Sequence, residues 1–208
     1  RVEGEDVSYA SITEKISGYL QTWKKYIEVP EQATQQHIWI DGYFIKREYG
    51  LNADWMEIGC IPNMEEHVEV LATESLDVLQ TSKQVYPCMM TESVMDRFGL
   101  ILGETITFEG IVDENENPLV LYISGIFDEG NATDVFWHVE ADEYEKQLFV
   151  DEEVMDSIIE KYSVSAINYE VYYLLDYLKM NSNNALDMLY YLEQFREKDV
   201  ALVESISE

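Results

Sequence analysis

Basic residues are scarce. Only 13 Lys and Arg stand against 42 Asp and Glu, a formal net charge of −29 over 208 residues. So anionic a surface repels nucleic-acid phosphates and anionic lipid headgroups, which argues against nonspecific nucleic-acid binding and a polybasic membrane anchor. Cysteine is scarcer still. Cys60 and Cys88 are too few for the disulfide framework of a small secreted domain; they leave either one bridge or two buried thiols, the second being favoured. No apolar run approaches the roughly 18 to 20 residues needed to span a bilayer, and no basic and apolar leader stands at the start. A chain running from Arg1 to Glu208 in this way suits a soluble portion of a longer protein.

What the chain does have is material for a core. Hydrophobic residues make up 47%, and 15 Tyr, 7 Phe and 4 Trp are enough to bury. The length allows one domain or two small ones. The acids are spread along the whole chain and not gathered in a tail, the pattern of a solvated surface that favours solubility and attracts cations.

The most legible stretch runs from Val85 to Gly130. Thr91 is placed to cap a short helix whose Val94, Met95 and Phe98 share one face. Gly99 stops that helix in the left-handed conformation, with Leu100 folding back on the last turn, and Gly103 allows a second tight turn. Glu104 to Phe108 alternates polar and apolar residues, Leu119 to Phe127 is a second β-rich run, and the polar segment Asp113 to Pro118 turns between them.

Phe98-Gly-Leu-Ile-Leu-Gly103-Glu104-Thr-Ile106, followed by Ile123-Ser-Gly125-Ile126-Phe127, resembles a passage in the extracytoplasmic domain of MacB-like and FtsX-like ABC transporter permeases. In that family the passage typically reads LGLxxGDxI and then a strand ending VxGI. Phe98 stands here for the usual Leu and Glu104 for the usual Asp. The motif is structural, so the resemblance implies an architecture and no active site. It implies a noncatalytic domain that needs no cofactor and transmits ATP-driven motion of membrane helices to a substrate or partner. Its partners would be the membrane-embedded remainder of the same permease, indirectly a cytoplasmic ATPase subunit, and an extracytoplasmic protein or peptide.

Around this stretch, residues Val7 to Val29 read as a long helix, with Ser11 and Glu14 as a capping box and Pro30 as the stop. Gln36 to Arg47 and Asp54 to Ile61 read as strands, the first bent at Asp41-Gly42. Glu65 to Gln84 fits a strand followed by a helix or a loop. Val135 to Val139 and Gln147 to Val150 are short strands, and Asp151 caps a helix Glu152 to Tyr162. At the carboxyl end come a strand Ala166 to Leu178, a turn and cap at Asn181 to Asn184, an amphipathic helix Ala185 to Lys198 on Leu186, Leu189, Tyr190, Leu192 and Phe195, and a closing strand Val200 to Ile206. A leading strand Val2 to Asp6 makes the amino end mirror this. The expected fold class is α+β in two lobes: residues 1–48 with 164–208 form a ferredoxin-like split β-α-β lobe, and 49–163 an inserted β-rich mixed lobe. In that arrangement Arg1 and Glu208 lie side by side.

Chemistry is hard to find. No G-x-S-x-G, P-loop, G-x-G-x-x-G, C-x-x-C or H-E-x-x-H occurs, so no catalytic, cofactor or metal residue is assigned. His37, His67 and His138 are far apart and read as strand or loop residues. Glu65-Glu66-His67 is the best metal-like cluster, but consecutive residues cannot all face one ion from regular structure. Asp113-Glu-Asn-Glu-Asn117 alternates oxygen ligands as calcium loops do, without the glycine and distant Glu of an EF-hand, and reads better as a hairpin tip. Asp128 to Asn131 reads the same way, and Asn131-Ala-Thr133 matches a glycosylation sequon that chance also produces. Trp23, Trp39, Trp55 and Trp137 serve a core as well as they would line a sugar or peptide groove. With 42 acids, paired carboxylates for glycoside hydrolysis have no diagnostic value. The rival reading is a secreted or surface module binding a cationic peptide or a carbohydrate.

Overall fold

The computed structural model describes residues 8–25, 29–45, 53–75, 84–131, 133–190 and 193. Helix α1 spans Tyr9–Lys24. Ser8 stands just before it, and Ser8 and Ser11 exchange backbone-to-hydroxyl hydrogen bonds of 3.1 Å in both directions. The capping box therefore lies one turn earlier than the Ser11–Glu14 pair expected from sequence, because a serine three residues on closes the box as a glutamate would. Ile12 and Ile16 are buried on one side of the helix.

Strand β1 (Glu31–Ile45) pairs antiparallel with β2 (Ala53–Cys60), in register from Ile38↔Cys60 to Ile45↔Ala53. Alternation along β1 sends Ile38, Ile40 and Phe44 to one face and Gln35, His37 and Trp39 to the other. Gln35 and His37 are nonetheless buried, so that second face is also covered. A one-turn 3₁₀ helix at Met64–Glu66 leads into β3 (Val68–Thr73), which settles the ambiguous stretch from 65 as a strand over these residues.

Strand β4 (Tyr86–Thr91) was not read from sequence. It is a central strand flanked by β6 and β7, and its Tyr-Pro-Cys-Met-Met run carries neither alternation nor β-branched residues. Helix α2 (Glu92–Phe98) follows at once, capped by Thr91, whose hydroxyl accepts from the Val94 N–H at 3.4 Å. Gly99 ends it at φ 58°, and the Leu100 N–H reaches back to the Met95 carbonyl at 3.0 Å. Gly103 turns at φ 84° into β5 (Thr105–Val112), and β6 (Pro118–Glu129) returns antiparallel to it.

Residues 135–139, expected as a strand, form no strand. Their aromatic side chains fit packing instead: Phe136 and Trp137 lie against a cluster of Ile61, Met64, Phe127, Ala141 and Phe149. Strand β7 (Gln147–Phe149) is followed by Asp151, whose carboxylate accepts the Val154 N–H at 2.7 Å to cap α3 (Glu152–Lys161). A cap of this kind is worth about 1 kcal/mol. On α3 the expected face of Val154, Met155, Ile158 and Ile159 is buried.

Strand β8 (Ile167–Leu175) ends earlier than expected, and Asp176 caps a 3₁₀ turn, Tyr177–Lys179, in place of the strand's last residues. Asn181 then starts a helix over 182–190, its amide oxygen accepting from the Asn183 and Asn184 N–H groups. Leu186, Leu189 and Tyr190 on this helix are exposed; an amphipathic pattern says which face is apolar and not what covers it. The expected strands at 2–6 and 200–206, with Arg1 and Glu208, lie outside the described residues.

The strands form one mixed sheet in the order β3-β6-β4-β7-β2-β1-β8, with β5 also paired to β6; β4–β6 and β2–β7 are parallel. The fold is α+β. By backbone contacts the chain divides into two units, Arg1–Ile12 with Gln35–Tyr172, and Thr13–Thr34 with Tyr173–Glu208. Within the second, Lys24 pairs with Glu31 at 2.6 Å and the Asp176 N–H donates to the Pro30 carbonyl at 2.9 Å.

Candidate functional site

The site lies along residues 130–131 and 133–144. At its front stands His67, just after the 3₁₀ turn. The His67 carbonyl accepts the Gly130 N–H at 3.2 Å and the Trp137 indole N–H at 3.0 Å. Its ring stacks on Phe136, 3.8 Å between centroids and 2° from parallel, while Nδ1 donates to Asp134 at 2.7 Å. Asp134 also accepts the Phe136 N–H at 2.9 Å. The His67 hydrogen bond, then that backbone N–H, hold the Asp134 carboxyl below the usual carboxylate range.

The rear is histidine again. His138 Nδ1 hydrogen-bonds the Gln35 side chain, its ring stacks on Tyr172, and the Tyr144 hydroxyl lies 3.5 Å from the same nitrogen. His37 stacks on Trp39 at 4.7 Å and meets the edge of Tyr144 at 5.3 Å. His37 Nε2, Gln35 Nε2 and Gln147 Oε1 are buried without a hydrogen-bond partner. Burial pushes His37 down to about 4, the Gln147 side chain opposing and nearby His138 reinforcing that shift. Burial also lowers His138, against the pull of Glu170 and Glu143. Gln147 Nε2 donates to Glu57 at 3.2 Å, and burial followed by repulsion from Asp41 raises the Glu57 carboxyl.

Between front and rear is a groove of about 230 Å³ lined by Glu129, Asn131, Trp137, His138, Val139, Glu140 and Glu143. Glu129 accepts the Ala141 N–H at 2.9 Å. Three carboxylates beside an indole face suit a cationic or polar group. The lining carries no thiol or hydroxyl nucleophile.

Of the residues singled out from sequence, Glu65 and Glu66 are exposed while His67 turns to Asp134, so that trio is not assembled as a ligand set. Among the described residues no group of three His, Cys, Asp or Glu could hold a metal ion. Asp113 Oδ1 accepts the N–H groups of Asn115 and Asn117, both at 2.8 Å, and Asn117 Nδ2 also donates to this carboxylate, so the loop satisfies its own acid. Asn131 Oδ1 accepts from the Thr133 N–H and hydroxyl. Cys60 and Cys88 are free and buried. Trp55 lies under Lys146, 5.0 Å from the ring centroid. Asp134, Gln35 and Tyr144 were missed by sequence reasoning: Asp134 is 67 positions from its partner and Gln35 is 103 from its own, so no local pattern announces them.

No protein-family model matches the chain, and no curated protein matches it. Several solved structures are similar to it, two of them as follows. One is a domain assigned as a permease protein from Porphyromonas gingivalis, at 17% identity and TM-score 0.39, covering 81% of this chain and 72% of the other. The second is the periplasmic region of MacB from Actinobacillus actinomycetemcomitans, at 14% identity and TM-score 0.40, covering 93% and 76%. Among the described residues no helix is long and apolar enough to cross a membrane.

Proposed function

We propose that this chain is the extracytoplasmic domain of an ABC transporter permease of the MacB and FtsX kind, a noncatalytic element that passes ATP-driven motion of membrane helices to a substrate or partner. The observation that carries the reading is the clasp between the two halves of the family-like motif. Gly103 donates to the Ile123 carbonyl and Ile123 donates to the Glu104 carbonyl, so residues 98–106 and 123–127 form one structural unit. Motion needs such a rigid element to travel through. Both thiols and one imidazole are held in unreactive forms: burial pushes the Cys60 thiol up to about 12 and the Cys88 thiol higher, and keeps His37 neutral at pH 7.

In this proposal residues 1–48 and 164–208 make the ferredoxin-like lobe and 49–163 the inserted lobe, with both chain ends continuing into membrane helices. The partners are the rest of the permease, a cytoplasmic ATPase subunit acting through it, and an extracytoplasmic protein or peptide. The deciding experiment reads the flanking coding sequence and fractionates the full-length product. One apolar span before Arg1, three after Glu208 and co-purification with an ATP-binding subunit support the reading; a signal peptide with a stop codon after Glu208 overturns it. A second reading, a surface module for a cationic peptide, is favoured by the groove of Glu129, Glu140, Glu143 and Trp137.

A further inference from the structure

Residues 130–131 and 133–144 form a strap that runs from His67 beside β3, over Phe127 of β6 and Phe149 of β7, to Gln35 of β1 and Tyr172 of β8. Histidine fastens both ends, by different chemistry. At the front, His67 meets a carboxylate, that of Asp134 at 2.7 Å. At the rear, the partner of His138 is the neutral amide of Gln35, and His37 sits 4% exposed with Nε2 unpartnered.

Among the described residues the groups facing these rear rings are few. From the strap come Tyr144 and Glu143, from β8 Tyr172 and Glu170, from β1 Gln35 and Trp39, and from β7 Gln147 and Phe149. The imidazoles also face each other. The two carboxylates, Glu143 and Glu170, act on His138 and not on His37. A proton arriving at the rear therefore meets no carboxylate at His37. On His37 it places a charge where water is excluded and no carboxylate offsets the lost hydration.

We propose that the strap is an acid-released latch: on acidification its rear, from His138 to Tyr144, leaves β1 and β8 while its front stays fastened to His67. Release uncovers Gln35 and His37, which now meet His138 and Tyr144 of the strap, and opens the rear of the groove that His138 lines. The state with the strap open is favoured because water then reaches both imidazoles. The trigger is built from the chain's own residues and needs no ligand.

Amide hydrogen exchange on the whole chain between pH 8 and pH 5, corrected for intrinsic rates, tests this. With His37 moving from about 4 when covered to 6.5 when open, protection of residues 138–144 falls about thirty-fold at pH 5, while α2, β5 and β6 keep theirs. Protection that is flat with pH, or lost equally from α2, β5 and β6, overturns the proposal. His37→Phe keeps a buried ring and removes the titration; loss of the pH slope with protection retained at pH 8 supports the latch, and an unchanged slope overturns it. Should that variant not fold, imidazole NMR on the native chain decides: His37 titrating well below 6.5 supports the latch, and titration at or above 6.5 overturns it.

Discussion

Gly103 donates its N–H to the Ile123 carbonyl at 2.9 Å, and the Ile123 N–H goes to the Glu104 carbonyl at 2.9 Å. The tight turn and the strand are thus fixed by one another. Gly103 holds φ 84°, a conformation that costs a residue with a Cβ about 1–2 kcal/mol. Gly103→Ala is expected to lower stability by that amount in urea titration with the slope unchanged. A loss below about 0.3 kcal/mol would show that the turn relaxes and the clasp is not rigid.

The two thiols give a second expectation. Cys60 is 1% exposed and Cys88 is 2% exposed, and burial disfavours both thiolates. At pH 8 the folded chain should not react with a chromogenic disulfide reagent, and in denaturant it should release two equivalents. Zero equivalents in denaturant would mean a bridge.

Asp113 gives a third. Its carboxylate already serves the N–H groups of Asn115 and Asn117 and the Asn117 amide, and the Asn117 hydrogen bonds hold its carboxyl below the usual range. Millimolar calcium should leave the melting temperature unchanged, and Asp113→Ala should lower it by loosening the hairpin turn. A rise of several degrees with calcium that Asp113→Ala abolishes would restore the cation-loop reading.

The fourth concerns Asp134. Its carboxyl is lower in the folded chain than in the unfolded one, so the folded form binds fewer protons and stability rises with pH through this range and falls as pH falls. That contribution is complete above the ordinary carboxylate range near 4 and disappears as pH drops through the lower folded value. Asp134→Asn keeps an acceptor for the Phe136 N–H and loses the charge. It should cost about 0.5–1 kcal/mol at pH 6, with the gap to the native chain closing below pH 4. A gap that is constant with pH would mean that charge plays no part at this fastening.

Legibility followed the range of the forces. The Thr91 cap, the Gly99 stop, the Gly103 turn and the β5–β6 pair were readable because each depends on residues within a few positions. β4 was not, since a strand buried between two others needs no alternation. The aromatic run at 135–139 looked like a strand because Phe136 and Trp137 favour extended backbone, yet their positions are fixed by Met64, Phe127 and Phe149. The strap's fastenings join His67 to Asp134 and Gln35 to His138, pairs that only tertiary structure brings together. The apolar face at Leu186 and Leu189 was correctly patterned and is exposed.

Strand β7 has one registered pair with β4, Met89↔Phe149, and three with β2. In the order of the sheet it is the strand that joins β3, β4, β5 and β6 to β2, β1 and β8. A tensile load applied across the strands would therefore find the β4–β7 seam, at Met89 and Phe149, weaker than the β7–β2 seam beside it.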